Sequence, residues 1–176
     1  MTTKRKAVII FDNAYTICSY IMVIFTCILL TAVIIVAEII IKKHILRLPD
    51  EYFSSVGLST GFVRLHRRRN YGLMLNILQK HSRLMPALTA LVILAFILLT
   101  APLLLQSSPP GLVIALGLLY GGALSNLLDR LRWGYVLDYI SFPCIQPKRL
   151  RRIIFNLADL CIFAGVLLLF ICYLLL

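Results

Sequence analysis

The sequence has 176 residues, 61% of them hydrophobic and only 14% charged, with a formal net charge of +11. A soluble domain of this length is about half apolar and about a quarter charged, so this composition excludes a single soluble core and predicts a protein built to lie in lipid. The basic residues stand in short clusters between apolar runs and form no basic face with interleaved aromatic residues, which argues against nucleic-acid binding and favours contact with anionic lipid headgroups.

The apolar segments are long enough to cross a membrane as helices, which needs about 20 mostly apolar residues each. The first segment follows a short basic N-terminus and is too long for the apolar part of a secretory signal, so we expect it to be retained as a membrane helix. We therefore predict an all-α membrane protein with four transmembrane helices in a single domain, residues 1–176. These helices are predicted at about residues 14–41, 85–105, 111–128 and 153–176.

The connections between these segments carry most of the polar residues. Residues 42–84 are long for a structureless link, and we expect a small β-rich region there, with a pair of short strands in residues 57–76 against the membrane surface. With four crossings, the long connection, the end of the third helix and the start of the fourth share one side of the membrane. This topology gathers distant polar residues at one membrane face: Glu38, Lys42, Asn70, Asn126, Arg130, Asp138, Asn156 and Asp159.

Acidic residues at membrane depth are the strongest functional signal in the sequence. Ionisable groups there are costly, so they indicate a functional site by default. Of the seven acidic residues, four lie within or beside the apolar runs: Glu38, Asp129, Asp138 and Asp159.

Asp138 and Asp159 form a candidate catalytic pair. Asp159 lies three residues after Asn156 on one helix face, and an extended segment 134–141 would send Asp138 to one side of a strand. Two carboxyl groups at one membrane boundary can share a proton, and such a pair can activate water and protonate a leaving amine. A structural or ion-pathway role for the pair is equally compatible with these positions.

The third segment has small residues at a spacing of four, which allows another helix to approach closely. Asn126 and Arg130 follow Gly122 at the same spacing and would project toward the polar end. The alternatives are simple helix packing for the glycines, an interfacial cation for Arg130 and a surface ion for Asp129. The small residues at this spacing are Gly117, Gly121 and Ser125.

Three C-terminal segments form a distinctive set, namely residues 121–130 (GGALSNLLDR), 134–139 (GYVLDY) and 155–159 (FNLAD). In order, composition and helix placement they resemble the motifs of the lipoprotein signal peptidase family. The N-terminal half matches more loosely. Residues 38–42 (EIIIK) resemble the family's acid-x-x-x-Lys pattern, with Glu where Asp is usual, and residues 69–75 (RNYGLML) resemble its Asn-x-Gly motif without the usual small residues after it.

The resemblance implies an aspartyl endopeptidase that removes signal peptides from diacylglyceryl-modified bacterial prolipoproteins, with Asp138 and Asp159 as its catalytic pair. It implies no cofactor and no metal, and the scattered histidines His44, His66 and His81 have no metal-ligand spacing and are expected at the membrane interface. The supporting and substrate-binding residues that it implies are Glu38, Lys42, Asn70, Gly72, Gly122, Asn126, Arg130 and Asn156.

The resemblance also implies a monomeric multi-pass protein of the bacterial inner membrane, with lipidated prolipoproteins and membrane lipids as partners. Both termini would be cytoplasmic and the active site would face the extracytoplasmic side. The basic residues of segments 42–69 and 148–152 oppose this orientation, because the positive-inside rule assigns such a face to the cytoplasm.

Two alternative functions use the same acidic residues: a carrier for ions or small solutes, and a catalytically silent membrane scaffold. Carriers often have internal repeats and broken helices near the midplane, and the sequence has neither. Retention of both aspartates argues against the scaffold.

Overall fold

The computed structural model of this chain describes residues 3–54, 63–72, 83–104, 109–144 and 153–175. Long helices make up most of the described residues, and short strands lie in the connections, as the sequence predicts. In chain order the elements are α1 (Thr3–Arg47), α2 (Glu51–Ser54), β1 (Arg64–Asn70), α3 (Met85–Leu104), α4 (Pro110–Trp133), β2 (Val136–Ser141) and α5 (Leu157–Leu175).

Four of these helices, α1, α3, α4 and α5, are long and apolar enough to cross a membrane. Large apolar side chains point away from the protein on α3 and α5, where Leu99 and Leu175 are 75% and 82% exposed. Such a surface is stable in lipid, where the helix satisfies its own backbone hydrogen bonds. The most apolar stretch of α4 is 56% buried, against 11% to 17% in the other three, so α4 is the central helix.

Two helices continue beyond their predicted ends. The helix α1 continues to Arg47 and α4 continues to Trp133, so that Lys42 and Asp129 lie on helices and not in connections. The two charged side chains neutralise each other, because Lys42 of α1 and Asp129 of α4 form an ion pair. The helix α4 ends where Gly134 adopts φ +76°, a left-handed conformation that glycine tolerates without strain.

The two strands form a small antiparallel sheet in which Arg68 lies opposite Asp138 and Asn70 opposite Val136. The prediction of an extended segment around Asp138 is confirmed. Of the pair of strands predicted within residues 57–76, β1 is present, and its described partner is β2, from the connection between α4 and α5. Residues 57–62 and 73–76 lie outside the described residues. The buried strand β2 needs hydrogen-bond partners on both edges, and Phe155 supplies the second edge.

Glycines allow α1 and α5 to approach α4 on two different faces. Gly121 faces Ile34 of α1, and a Cβ added there would lie 2.8 Å from that side chain. Gly122 faces α5 so closely that an added Cβ would collide with the carbonyl oxygen of Ala158. The small residues thus serve close helix packing. Gly122, which the sequence suggests as a site residue, brings α4 against the helix that carries Asp159.

Candidate active site

The two predicted catalytic carboxyl groups meet at one end of the helix bundle, where Asn156 contacts both. Asp138 lies in the middle of β2, and Asp159 lies in the first turn of α5. Asn156 Nδ2 donates to Asp138 Oδ1 at 3.1 Å. The backbone N–H of Asn156 donates to Asp159 Oδ2 at 3.2 Å. A single asparagine therefore joins two carboxyl groups that are 21 positions apart in the sequence.

The start of α5 explains why Asp159 points at this site. Asn156 Oδ1 accepts a hydrogen bond from the Asp159 N–H at 2.8 Å, while Asp159 Oδ2 accepts one from the Asn156 N–H. This reciprocal pair is a capping box, which fixes the first helical residue. It is the reason why α5 begins at Leu157 and not at the predicted residue 153. The Asp159 carboxyl group also lies at the positive end of the helix dipole.

Two further asparagines bind the remaining oxygens of the pair. Asn70 Nδ2 donates to Asp138 Oδ2 at 2.9 Å, and Asn126 Nδ2 donates to Asp159 Oδ1 at 2.9 Å. Asn156 Nδ2 also lies 3.3 Å from Asn126 Oδ1. All carboxyl oxygens of the pair thus accept hydrogen bonds from N–H groups. Neutral amides orient the two carboxyl groups without introducing a charge that would neutralise them.

Arg130 connects the residues after β1 to α4. Its Nη2 donates to the Gly72 carbonyl at 3.1 Å, and its Nη1 donates to the Asn126 carbonyl at 3.3 Å. Gly72 N–H in turn donates to Asn70 Oδ1 at 3.1 Å. Arg130 is only 9% exposed, so it is not a cation that reaches out to the membrane interface. It holds together the two chain segments whose asparagines bind the carboxyl pair.

A second cluster of buried charges lies beside the pair. Lys42 Nζ is 2.6 Å from Glu38 Oε2 and 2.7 Å from Asp129 Oδ2. Glu38 and Lys42 are 0% and 1% exposed, and Asp129 is also buried, so Asp129 is not a surface ion. Glu38 and Lys42 form no hydrogen bond or ion pair with Asp138 or Asp159 in the described structure. They therefore lie beside the carboxyl pair without bonding to it.

Sequence reasoning missed Tyr139, which connects this second cluster to the helix that carries Asp159. Its hydroxyl donates to Glu38 Oε1 at 3.2 Å and accepts from the Leu157 N–H at 3.1 Å. Burial and the nearby Glu38 carboxylate raise the pKa of Tyr139 well above its ordinary value. The available signal was a tyrosine in a segment predicted to be extended, because a buried phenol hydroxyl needs a partner.

The surroundings of Asp138 favour its protonated form. Burial raises the pKa of Asp138 from 3.8 to about 7, and the negative charge of Asp159 contributes to the increase. Hydrogen bonds from Asn70 and Asn156 and the positive charge of Lys42 act in the opposite direction. Burial therefore lets Asp138 keep its proton until the pH rises through about 7.

Of the described histidines, His66 bonds a residue outside the carboxyl pair. His66 in β1 has its Nε2 atom 2.7 Å from Ser141 Oγ, and burial together with neighbouring arginines lowers the pKa of His66. His44 lies in the last turn of α1, and His81 lies outside the described residues. Across the described parts of the chain, no three His, Cys, Asp or Glu side chains are grouped so that they could hold a metal ion.

Comparison with known proteins identifies the family. The family model described as signal peptidase (SPase) II matches residues 30–175. The chain belongs to the signal peptidase II family. A lipoprotein signal peptidase of Moorella thermoacetica is 35% identical over 127 residues, covering 72% of this chain and 79% of that protein. A lipoprotein signal peptidase of Brevibacillus brevis is 32% identical over 116 residues, covering 66% and 73%.

Two solved structures share the fold of this peptidase. Each is a bacterial membrane enzyme determined by the in meso method, one at 2.3 Å and one at 1.9 Å. Both have a TM-score of 0.69, are 24% and 25% identical, and cover 86% of this chain and 88% and 94% of theirs. The predicted family, the helical membrane fold and the function of a lipoprotein signal peptidase are confirmed. Neither a carrier nor a silent scaffold is favoured.

Proposed function

We propose that this peptidase is an aspartyl endopeptidase that removes signal peptides from diacylglyceryl-modified bacterial prolipoproteins, with Asp138 and Asp159 as the catalytic pair. The observation that supports this most directly is the contact of both carboxyl groups with Asn156 in buried surroundings. Two close carboxyl groups cannot both ionise cheaply, so one keeps a proton while the other is charged. Aspartyl peptidases need an acid and a base in this arrangement.

The pair would act on a water molecule and the peptide bond just before the lipid-modified cysteine. The water oxygen adds to the scissile carbonyl carbon while the ionised Asp159 accepts the water proton. The protonated Asp138 donates a hydrogen bond to the developing oxyanion. When the C–N bond breaks, the proton on Asp159 passes to the leaving nitrogen. The products are a carboxylate on the signal peptide and a free amino group on the cysteine.

The remaining predicted site residues would support this chemistry in different ways. The asparagines orient the carboxyl groups, and Arg130 holds Gly72 and the segment that carries Asn70. Gly122 lets α5 approach α4. The Glu38–Lys42 ion pair supports the site without bonding to either carboxyl group. The asparagines in this role are Asn70, Asn126 and Asn156.

The outward apolar surface supports a substrate that arrives sideways through the lipid, with its diacylglyceryl group still in the bilayer. The catalytic pair lies near the polar end of α4 and at the start of α5, close to one membrane boundary. Both carboxyl groups belong to one chain, which supports a monomer as the working unit. The proposed location is the bacterial inner membrane.

Cleavage of a lipidated precursor by the purified protein, followed by gel shift, tests this proposal. We expect the precursor to be shortened, and we expect a cyclic-peptide inhibitor of this family to block the reaction. The rate should fall as the pH rises through about 7, because Asp138 holds the proton of the active pair below that pH and loses it above. A precursor without the diacylglyceryl group is the control. No cleavage of the lipidated precursor, or a rate that stays flat from about pH 6 to about pH 9, contradicts the proposal.

We also propose that the carboxyl pair faces the extracytoplasmic side, with both termini in the cytoplasm. The arginines of β1 and the basic end of α1 lie on this side, against the positive-inside rule. Several of these cations already have partners inside the protein. Arg67 pairs with Asp50 and bonds the carbonyls of Leu46 and Leu48. Cations held in this way are weaker signals of orientation than free ones.

Labelling of introduced cysteines in intact cells tests the orientation, in a variant from which the native cysteines are removed. A membrane-impermeant maleimide should label Arg69→Cys, next to Asn70, without cell lysis. The control, Lys4→Cys near the N-terminus, should be labelled only after lysis. The reverse pattern contradicts the proposed orientation.

A further inference from the structure

The two catalytic carboxyl groups lie on different elements, so their separation depends on how β2 and α5 are held together. Backbone bonds join the strand to the residues before the helix: Phe155 N–H donates to the Ile140 carbonyl at 2.6 Å, and Ile140 N–H donates to the Phe155 carbonyl at 2.7 Å. These backbone bonds end at Phe155, whereas Asp159 follows one helical turn later. The start of α5 therefore needs restraints of its own.

Two side chains from other elements provide these restraints. The first N–H groups of a helix have no partner within it. The Tyr139 hydroxyl accepts from the Leu157 N–H at 3.1 Å, and Glu38 Oε1 accepts from the Ala158 N–H at 2.5 Å. Asn156 Oδ1 accepts the next N–H along the chain. The first turn of α5 is thus bound by β2 and α1 as well as by its own capping residue.

Tyr139 and Glu38 also bind each other. The phenol hydroxyl donates to Glu38 Oε1 at 3.2 Å, while Lys42 holds Glu38 Oε2 at 2.6 Å. Tyr139 is 2% exposed and Glu38 is 0% exposed, so bulk water does not compete for these bonds. Hydrogen bonds to a charged group are stronger than neutral ones, and a carboxylate is favoured at a helix N-terminus. The contact between β2, α1 and α5 is therefore stiff.

We propose that Tyr139 is a positioning residue of this peptidase, whose hydroxyl, backed by Glu38, holds the start of α5 against β2 and sets the separation of the Asp138 and Asp159 carboxyl groups. This inference rests on the proposed function of that pair. Tyr139 follows Asp138 directly in the strand, so its side chain leaves the opposite face of β2. Its bonds go to Leu157 and Glu38, and it acts on the reaction through α5.

The separation of the carboxyl groups has a consequence that can be measured. The charge of Asp159 on α5 favours the protonated form of Asp138, whereas the charge of Lys42 on α1 opposes it. Arg130 on α4 lies close enough to interact electrostatically with both carboxyl groups. On β1, Arg68 lies opposite Asp138 in the sheet but is exposed. Without the phenol hydroxyl, the start of α5 would move away while α1, α4 and β1 stay in place. The repulsion would weaken and the proton would leave at lower pH.

The substitution Tyr139→Phe tests this role, because it removes only the hydroxyl. We expect kcat to fall about tenfold to about a hundredfold, with KM changed by less than about twofold, since small misplacements of reacting groups cost this much. We also expect the alkaline fall of the rate to move down by about half a pH unit. The matched control is Tyr120→Phe, which removes a partly buried hydroxyl bonded to Thr100 at 2.5 Å between α3 and α4. This control should leave kcat and the pH profile unchanged.

Three outcomes would overturn the positioning role: an unchanged kcat and pH profile in Tyr139→Phe, an increase in KM alone, or equal losses in Tyr120→Phe. The first would show that α5 is held without the hydroxyl, and the second that Tyr139 contacts substrate. The third would show that loss of any tyrosine hydroxyl bond between elements has this effect. Asp138→Asn is measured in parallel. If it is inactive while Tyr139→Phe is normal, the positioning role fails and the aspartyl mechanism stands. If Asp138→Asn is active, the aspartyl mechanism itself fails.

Discussion

Replacement of Asp138 or Asp159 by asparagine should reduce the cleavage of a lipidated precursor by at least about a thousandfold. An amide at position 159 cannot accept the proton of the attacking water. An amide at position 138 is a weaker hydrogen-bond donor to the oxyanion than a carboxylic acid, and it removes the shared proton of the pair. The two single variants should be about equally inactive, because the carboxyl groups act as a unit. The gel shift of the precursor, measured at several enzyme concentrations, gives the residual rate.

These variants should remain folded, and Asp138→Asn should lose less stability than the unchanged protein as the pH rises from about 4 to about 7. The pKa of Asp138 is about 7 in the folded protein, above its ordinary 3.8, so the fold disfavours its charge. This cost is absent below about pH 4 and complete above about pH 7, and asparagine removes it. The control is Asp50→Asn, whose carboxyl group is 90% exposed. It should cleave normally. Activity retained in both Asp138→Asn and Asp159→Asn would contradict the catalytic assignment.

The substitution Lys42→Met should produce the largest loss of stability. It leaves Glu38 and Asp129 buried without the cation that lies 2.6 Å and 2.7 Å from their oxygens. Breaking a buried ion pair by removing one partner costs about 3–5 kcal/mol, because an uncompensated charge stays inside. We expect the free energy of unfolding to fall by about this amount, with cleavage lost as well, since Glu38 binds the start of α5.

The adjacent Lys43→Met is the matched control for this experiment. Lys43 is exposed and has no ion pair with any described residue, so its replacement should change the free energy of unfolding by less than about 0.5 kcal/mol. Denaturant titration in detergent micelles, followed by tryptophan fluorescence from Trp133, measures both variants. Equal stabilities of Lys42→Met and Lys43→Met would contradict the buried cluster.

The sequence alone was sufficient to predict the membrane helices and the candidate catalytic aspartates. The long apolar runs have few alternatives to a helix in lipid, where the backbone must satisfy its own hydrogen bonds. The number of crossings then placed Asp138 and Asp159 on one side of the membrane. The pattern FNLAD at residues 155–159 forms a capping box, a local structure that starts α5 at Leu157 and not at the predicted residue 153.

Only the tertiary structure decided which side chains touch. Asp129 could be a surface ion in sequence terms and is buried against Lys42, and Tyr139 had no assigned role. The partner of β1 was also misplaced, because strand pairing joins residues far apart in the chain. Apolar runs and caps follow from neighbouring residues, whereas buried ion pairs and sheet register depend on how α1, α4 and β2 pack. The burial that favours the proton on Asp138 exists only after that packing.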